Sequence, residues 1–348
     1  MNETQNASTE LVKKKKHQST LISIFLLLTS IIILICSSSI LATSEHNTVN
    51  PRIISVSPLH DIQEIINNAE EYSTIVFHPG TYNESFIISK PLTLQGFSPE
   101  NTIILLRTKP NNPGIIISSP FVTFSNFTVT NTAKGLYTTA MRINSPHVLI
   151  KNSHFKDTPI GIAVWNDNTS ILNSRFTNCS DEGILLVSTS LSMSHNNLID
   201  GCFFFNNTDG IELQESSNNI IINCTFIGNS HAGIDAIRSN NNNNHIINCT
   251  FLDNSAFDIY FASSDNNIIK DSTIKNNGEE TIFFTSSSSN NYIIHQSSFS
   301  STERFNSNEE SSSFFLFSMI EKLNSFLARH LQPFFTILQE FRMLIQKI

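Results

Sequence analysis

The chain has 348 residues, a net charge of −8 and only 14% charged residues. It is long enough to bury an extended core, and its surface is rich in hydroxyls and amides. That balance excludes nucleic acid as a partner, which needs a basic stripe to displace counterions; it suits sugars or a crowded cell exterior.

Residues 1–19 read as a polar cytoplasmic tail ending in Lys13-Lys14-Lys15-Lys16 and a few polar residues. The run from Leu21 to Leu41 is apolar apart from small hydroxyl residues and Cys36. Roughly 20 such residues span a bilayer, so residues 20–42 are expected to be a transmembrane signal anchor. The lysines keep the tail cytoplasmic and leave the rest of the chain extracellular. The rival reading is a cleaved signal peptide, because Ser37-Ser38-Ser39 and Ala42-Thr43-Ser44 are small; either way the body is exported.

Residues 43–58 read as a linker. Ile62, Ile65, Ile66 and Ala69 then share one face of a predicted helix. Strand signals follow at Thr74-Ile75-Val76-Phe77, Phe86-Ile87-Ile88, Leu92-Thr93-Leu94 and Thr102-Ile103-Ile104-Leu105, with a turn at His78-Pro79-Gly80-Thr81-Tyr82. A short helix in this place would cover the open end of a stack of strands, whose unpaired backbone otherwise invites aggregation.

From about residue 120 to 300 one pattern returns every 21–28 residues: a short apolar stretch, Asn, a small residue, and Phe, followed by Gly-Ile and a second apolar stretch. It is clearest at Asn152-Ser153-His154-Phe155 with Gly161-Ile162, and at Asn223-Cys224-Thr225-Phe226 with Gly233-Ile234. A fixed period of this length means stacked coils of a solenoid. Segments of three to five apolar residues bounded by Asn, Ser, Asp or Gly are too short for helices. Phe155, Phe176, Phe204, Phe226, Phe251 and Phe299 are expected to form an interior ladder, with Ile274 substituting once. Asn152, Asn173, Asn223 and Asn248, joined by Asp271 and Gln296, form a second column whose amides can bond along the axis. Cys202, Cys224 and Cys249 fall where other coils have Ser153, Ser174 and Ser272, so an interior stack of thiols is expected and not a disulfide framework. A soft-metal site on that column is conceivable, but no His or Met accompanies it at ligand spacing.

After a Ser- and Glu-rich linker (301–313), residues 314–348 return to helical spacing. Leu316, Ile320, Leu323 and Leu327 share one face, and Pro333 opens a second amphipathic helix. These helices would cap or flank the solenoid; a membrane surface or a protein partner is the alternative.

Residues 55–300 resemble the right-handed parallel β-helix proteins of the pectin-lyase-like superfamily, especially the NosD-like group. The opening segment Ile62-Gln63-Glu64-Ile65-Ile66, Thr74 to Glu84 and Leu92-Thr93-Leu94-Gln95-Gly96 is similar to that family's N-terminal cap and first coil. The resemblance implies an all-β fold: one right-handed, single-stranded parallel β-helix over residues 59–300. It also implies carbohydrate binding, polysaccharide lyase, hydrolase or epimerase activity, or a non-enzymatic surface role. The NosD name implies copper delivery to a reductase, but the chain shows no obvious copper ligand set.

Taking the isoleucines of the Gly-Ile pairs as inward, alternation puts Glu212, Asp235 and Tyr260 outward on adjacent coils. Glu215 and Arg238 fall near the strand end, and Asp209, His231 and Asp258 in the neighbouring turns. Glu212, Asp235, His231, Arg238 and Tyr260 are the candidate catalytic residues. They are the types that uronate lyases and epimerases use to neutralise a carboxylate and move a proton. The acids could instead hydrolyse a glycoside or, with Asp209, hold calcium. Against this stands a solvated acidic face with a surface Glu215–Arg238 pair. Asn207-Thr208-Asp209-Gly210 and Asp181-Glu182 read as turns. Trp165, the only Trp, could stack on a sugar; with Val187 and Ile237 it could equally seat the C-terminal helices. Glycosylation sequons occur at Asn83, Asn126, Asn168, Asn178, Asn206, Asn223 and Asn248. The function expected is a membrane-anchored extracellular protein that binds a polysaccharide or cell-surface glycan without catalysis. The alternative is a polysaccharide-modifying enzyme.

Overall fold

The computed structural model describes residues 51–294 except 136 and 276–281. The expected cytoplasmic tail, the anchor, the C-terminal helices, Cys36, Gln296 and Phe299 lie outside the described residues. No helix among the described residues is long and apolar enough to cross a membrane.

The described chain winds into a parallel β-solenoid with three faces. The first face is an 11-stranded sheet and the other two have nine strands each. Every pairing joins equivalent strands of successive coils. On the first face, for example, Leu149 lies opposite Ser170, Ser170 opposite Leu198, and Leu198 opposite Ile220. The 21–28-residue period is thus one coil, and it stretches and shrinks at the corners while the strands stay in register.

Inside, the ladder is present as expected. Phe155, Phe176, Phe204, Phe226 and Phe251 are fully buried and stacked nearly parallel, with ring centroids 5.4, 5.1, 4.7 and 4.8 Å apart. Ile274 continues the column in register with Phe251. Cys202, Cys224 and Cys249 are buried and free. Each thiol donates to a backbone carbonyl two residues back, as the hydroxyl of Ser174 does to Leu172.

The Gly-Ile pairs have a steric cause. A Cβ on Gly210 would sit 2.5 Å from the carbonyl oxygen of Gly233 on the next coil and 2.5 Å from the Phe226 ring. Only a bare backbone lets the coils approach that closely.

The expected Asn column runs along a corner of the coils. Asn152, Asn173, Asn223 and Asn248 are exposed corner residues with φ between 47 and 55°, a left-handed turn that Asn tolerates; Gly201 takes the same turn on the coil between Asn173 and Asn223. Asn248 donates to Asn223 at 2.7 Å, so the amides do bond along the axis. The buried amide ladders are different residues. Asn197, Asn219, Asn244 and Asn267, with the half-buried Asn291 continuing the row, each receive a backbone N–H from the coil before at 2.8–3.0 Å. Asn207, Asn229 and Asn254 do the same at a second corner. They satisfy backbone donors that the corners would otherwise bury unpaired.

The first strand, Ile53–Val56, pairs with Thr74–Phe77 and so begins the solenoid inside the stretch read as linker. The cap helix spans Ile62–Asn68 and starts at Asp61, whose side chain accepts the Glu64 N–H. Ile62 and Ile66 are buried on the first coil. Gln63 accepts the N–H of Ile87 and donates to its carbonyl. Ile87 belongs to the edge strand Phe86–Ile88 of the third face, so the helix blocks the sheet edge it covers.

Candidate functional site

The outward side of the third face carries the chemistry. The strands Ile160–Val164, Glu182–Val187, Asp209–Gln214, Ala232–Ile237 and Phe257–Phe261 pair in that order. Their register stacks Ala163, Leu185, Glu212, Asp235, Tyr260 and Phe283 in one column. A second column places Glu182 opposite Asp209. The candidates Glu212, Asp235 and Tyr260 therefore do line up on successive coils. The face is not solvated as expected: Glu182, Asp209, Glu212 and Asp235 are 4–7% exposed.

This surface holds a groove of about 790 Å³. Its floor includes Arg142, Trp165, Leu185 and Glu212, and the loop residues Tyr137 and Thr189 also line it. Trp165 packs on a small apolar cluster of Ile160, Ala163, Leu185 and Val187, with the Arg142 guanidinium 5.4 Å from its ring centre. Further along the axis the column ends in aromatic side chains, Tyr260 stacked on Phe283 with centroids 5.6 Å apart. Several buried polar atoms on this face have no hydrogen-bond partner: Thr139 Oγ1, Arg142 Nε, Trp165 Nε1, Glu182 Oε2 and Asp235 Oδ1. Unpaired buried polar atoms are costly in a folded chain, and here they are concentrated beside one groove.

The carboxyls hold their protons unusually tightly. Burial is the main cause, and mutual repulsion adds to it. Glu182 is pushed far above the carboxylate range by burial, then by Glu212 and Asp181, so it is the neutral partner against the Glu212 carboxyl. Glu212 is itself raised by burial, though the Gln214 amide that donates to it opposes the shift. Burial and then Asp209 raise Asp235 to about 7. Asp209 is raised by burial against the pull of His231.

The remaining candidates are placed as follows. His231 Nδ1 lies 2.8 Å from Asp209 Oδ1 and 3.6 Å from Asp235 Oδ2, so Asp209 joins it to the column. Arg238 is exposed, lines the groove and stabilises the Glu212 carboxylate through its charge. The expected Glu215–Arg238 pair is not among the salt bridges of the described residues; both residues turn at positive φ. Asp258 is no turn residue but lies buried in the strand Phe257–Phe261, where its carboxylate accepts from Asn254. Sequence reasoning read Asp181-Glu182 as a turn and did not single out Arg142 or Gln214; it named Asp209 beside the candidate acids but placed it in a turn, whereas Asp209 opens the strand Asp209–Gln214. The adjacent acidic pair was the available signal. Its burial was hidden because an outward side chain is not necessarily an exposed one.

The family model described as "Periplasmic copper-binding protein (NosD)" matches residues 144–315. No curated protein matches the chain in sequence. Among solved structures, an alginate lyase from Paenibacillus sp. FPU-7 is similar at 17% identity and TM-score 0.55, over 70% of this chain and 95% of the lyase. The enzymatically active domain of the bacteriophage CBA120 tailspike protein 2 is similar at 13% identity and TM-score 0.56, over 70% of this chain and 43% of that one. The catalytic domain of a GH87 α-1,3-glucanase in complex with nigerose follows at 14% identity and TM-score 0.51, over 70% of this chain and 58% of that one. The likeness to these structures shows the right-handed parallel β-helix fold, and the NosD model resembles a stretch of just under half of the chain.

The family description raises the question of copper. The thiol column does not fit it. Burial pushes the Cys224 and Cys249 thiols well above their ordinary range, and a soft ion needs an accessible thiolate. The compact His and carboxylate group among the described residues is Asp209, His231 and Asp235, a nitrogen and oxygen set with none of the thiolate or thioether donors that select copper(I).

Proposed function

We propose that this chain is an exported, membrane-anchored β-helix protein that binds a carbohydrate chain in the groove of its third face without cleaving it. The observation that carries the reading is the set of buried, unpartnered polar atoms beside an apolar platform. A sugar presents hydroxyls that donate and accept, and a C–H face that stacks on an aromatic ring. Arg142 Nε and Trp165 Nε1 are donors in want of an acceptor, and Thr139 Oγ1 and the neutral Glu182 carboxyl can serve either role. From the strand of Arg142 to that of Ile237 the groove crosses four inter-coil steps, about 19 Å, the length of a short oligosaccharide.

Charge selects the class of glycan. A uronate polymer would meet Asp181 and Glu212 as well as the two arginines, so a neutral glycan is the better match. The likeness of the fold to an α-1,3-glucanase held in complex with nigerose is compatible with that choice. Export and anchoring rest on the four lysines and the apolar run of residues 20–42.

One observation favours a catalytic reading: a protonated Glu182 against Glu212 is an acid beside a base. A retaining glycosidase, however, holds its carboxyls about 5–5.5 Å apart, with the sugar between them. Here Glu182 and Glu212 interact directly through a side-chain hydrogen bond, with no sugar between them, so binding is preferred. The full chain in detergent should be incubated with neutral and acidic polysaccharides, with and without calcium. Retardation by a neutral glycan with no new reducing or unsaturated ends is the expected result. New reducing ends that Glu182→Gln abolishes would replace the binding reading by hydrolysis. Retention of acidic glycans alone would overturn the choice of class.

A further inference from the structure

We propose that Asp209, His231 and Asp235, just beyond the end of the groove, form a binding site for a borderline divalent cation of the zinc type. Each residue offers one donor atom, and these lie within 4.8 Å of one another. Asp209 is already fixed in place, because its Oδ1 accepts the Ala232 N–H at 2.8 Å. His231 is fixed by its own N–H to the Thr208 carbonyl at 2.9 Å and by the edge-on contact of its ring with Phe257, centroids 5.9 Å apart. Its Nδ1 lies between the two carboxylates, at 2.8 Å from Asp209 Oδ1 and 3.6 Å from Asp235 Oδ2.

A second observation points to a ligand. Asp235 is 4% exposed, yet its Oδ1 has no hydrogen-bond partner. A buried carboxylate oxygen left bare is expensive, and a cation between the three side chains would neutralise both carboxylates at once. The donor set decides the class of ion. A first-row divalent ion sits about 2.0–2.2 Å from imidazole nitrogen and carboxylate oxygen, which places its donors at spacings close to those seen here. Calcium takes six to eight oxygens at about 2.3–2.6 Å, more than this site supplies. His231 remains 42% exposed, so an ion can enter and three protein donors leave a position open to solvent, as open zinc sites do.

Binding is read without any glycan, so its failure is separate from failure of the groove reading. Zn²⁺ should be titrated calorimetrically into the full chain in detergent, alongside His231→Ala and Asp235→Asn. His60→Ala, an exposed histidine remote in sequence, is the control. The wild type and the control should bind one equivalent that both site variants lose or hold at least tenfold more weakly. Equal stoichiometry and affinity in all four proteins would overturn the site. Should a variant fail to melt cooperatively, Co²⁺ added to the wild type serves instead. Visible bands of a nitrogen- and oxygen-bound ion support the proposal, while intense thiolate bands or an unchanged aquo-ion spectrum overturn it. Binding of Ca²⁺ with none of Zn²⁺ would overturn the class of ion.

Discussion

The solenoid stacks like upon like in two places, with opposite consequences. In the interior, five phenylalanines repeat once per coil with ring centroids 4.7–5.4 Å apart, and each added ring buries more apolar area. On the outer third face the same register stacks Glu212 on Asp235 and sets Glu182 beside Asp209. There each added carboxyl raises the cost of the next. Repetition is therefore sufficient reason for the interior column. It is no reason for the outer one, where like charges and burial both work against the fold. A costly arrangement beside a groove is where a binding site is to be sought.

The comparison can be broken most strongly from the interior. Phe226→Ala should lower stability by about 3–5 kcal/mol, the cost of a buried aromatic cavity. An unchanged denaturant midpoint would remove Phe226 from the ladder. Gly210→Ala should cost about 1–3 kcal/mol through overpacking, because its Cβ would press on the Gly233 carbonyl and the Phe226 ring; thermal melts would show it.

The outer column makes a smaller and pH-dependent prediction. The folded-state pKa of Asp235, about 7, lies above its ordinary value of 3.8. Its protonated form therefore favours the fold. That contribution is fully present below about pH 4 and is lost as pH rises through about 7. Stability measured by urea unfolding should fall between pH 4 and pH 8, and Asp235→Asn should flatten that fall. A slope unchanged by Asp235→Asn would mean that this carboxyl is not held neutral by the fold. The smallest effect is expected at Glu182. Because it keeps its proton at neutral pH, Glu182→Gln should change stability by under about 0.5 kcal/mol at pH 7, and a loss of several times that would make it a paired carboxylate.

The interior was legible in the sequence because the repeat itself encodes it. Phe at one position, Gly-Ile after it and a small Ser or Cys before it are steric demands that most of the coils meet in the same way. The cap helix was legible for the same reason, since Ile62 and Ile66 show their buried face by spacing alone. The amide ladders were only half legible. Asn is common at every corner of this chain, and nothing local separates Asn223, exposed at a positive-φ turn, from Asn219, buried four residues earlier. The outer site was read in part. Alternation from Ile211 and Ile234 placed Glu212 and Asp235 on one face, but Glu182 and Asp209 stand next to each other only through a register across 27 residues. Burial on the outer face comes from neighbouring coils and loops, which no local pattern records.

The most direct test of the binding account uses Trp165, the single tryptophan of the chain and part of the groove floor. Its fluorescence should be followed while a neutral oligosaccharide retained by the protein is titrated in. The account predicts a saturable change whose midpoint weakens at least tenfold in Arg142→Ala. A glycan that binds the protein by retardation yet leaves the Trp165 emission and the Arg142→Ala midpoint unchanged would place carbohydrate recognition outside this groove and contradict the account.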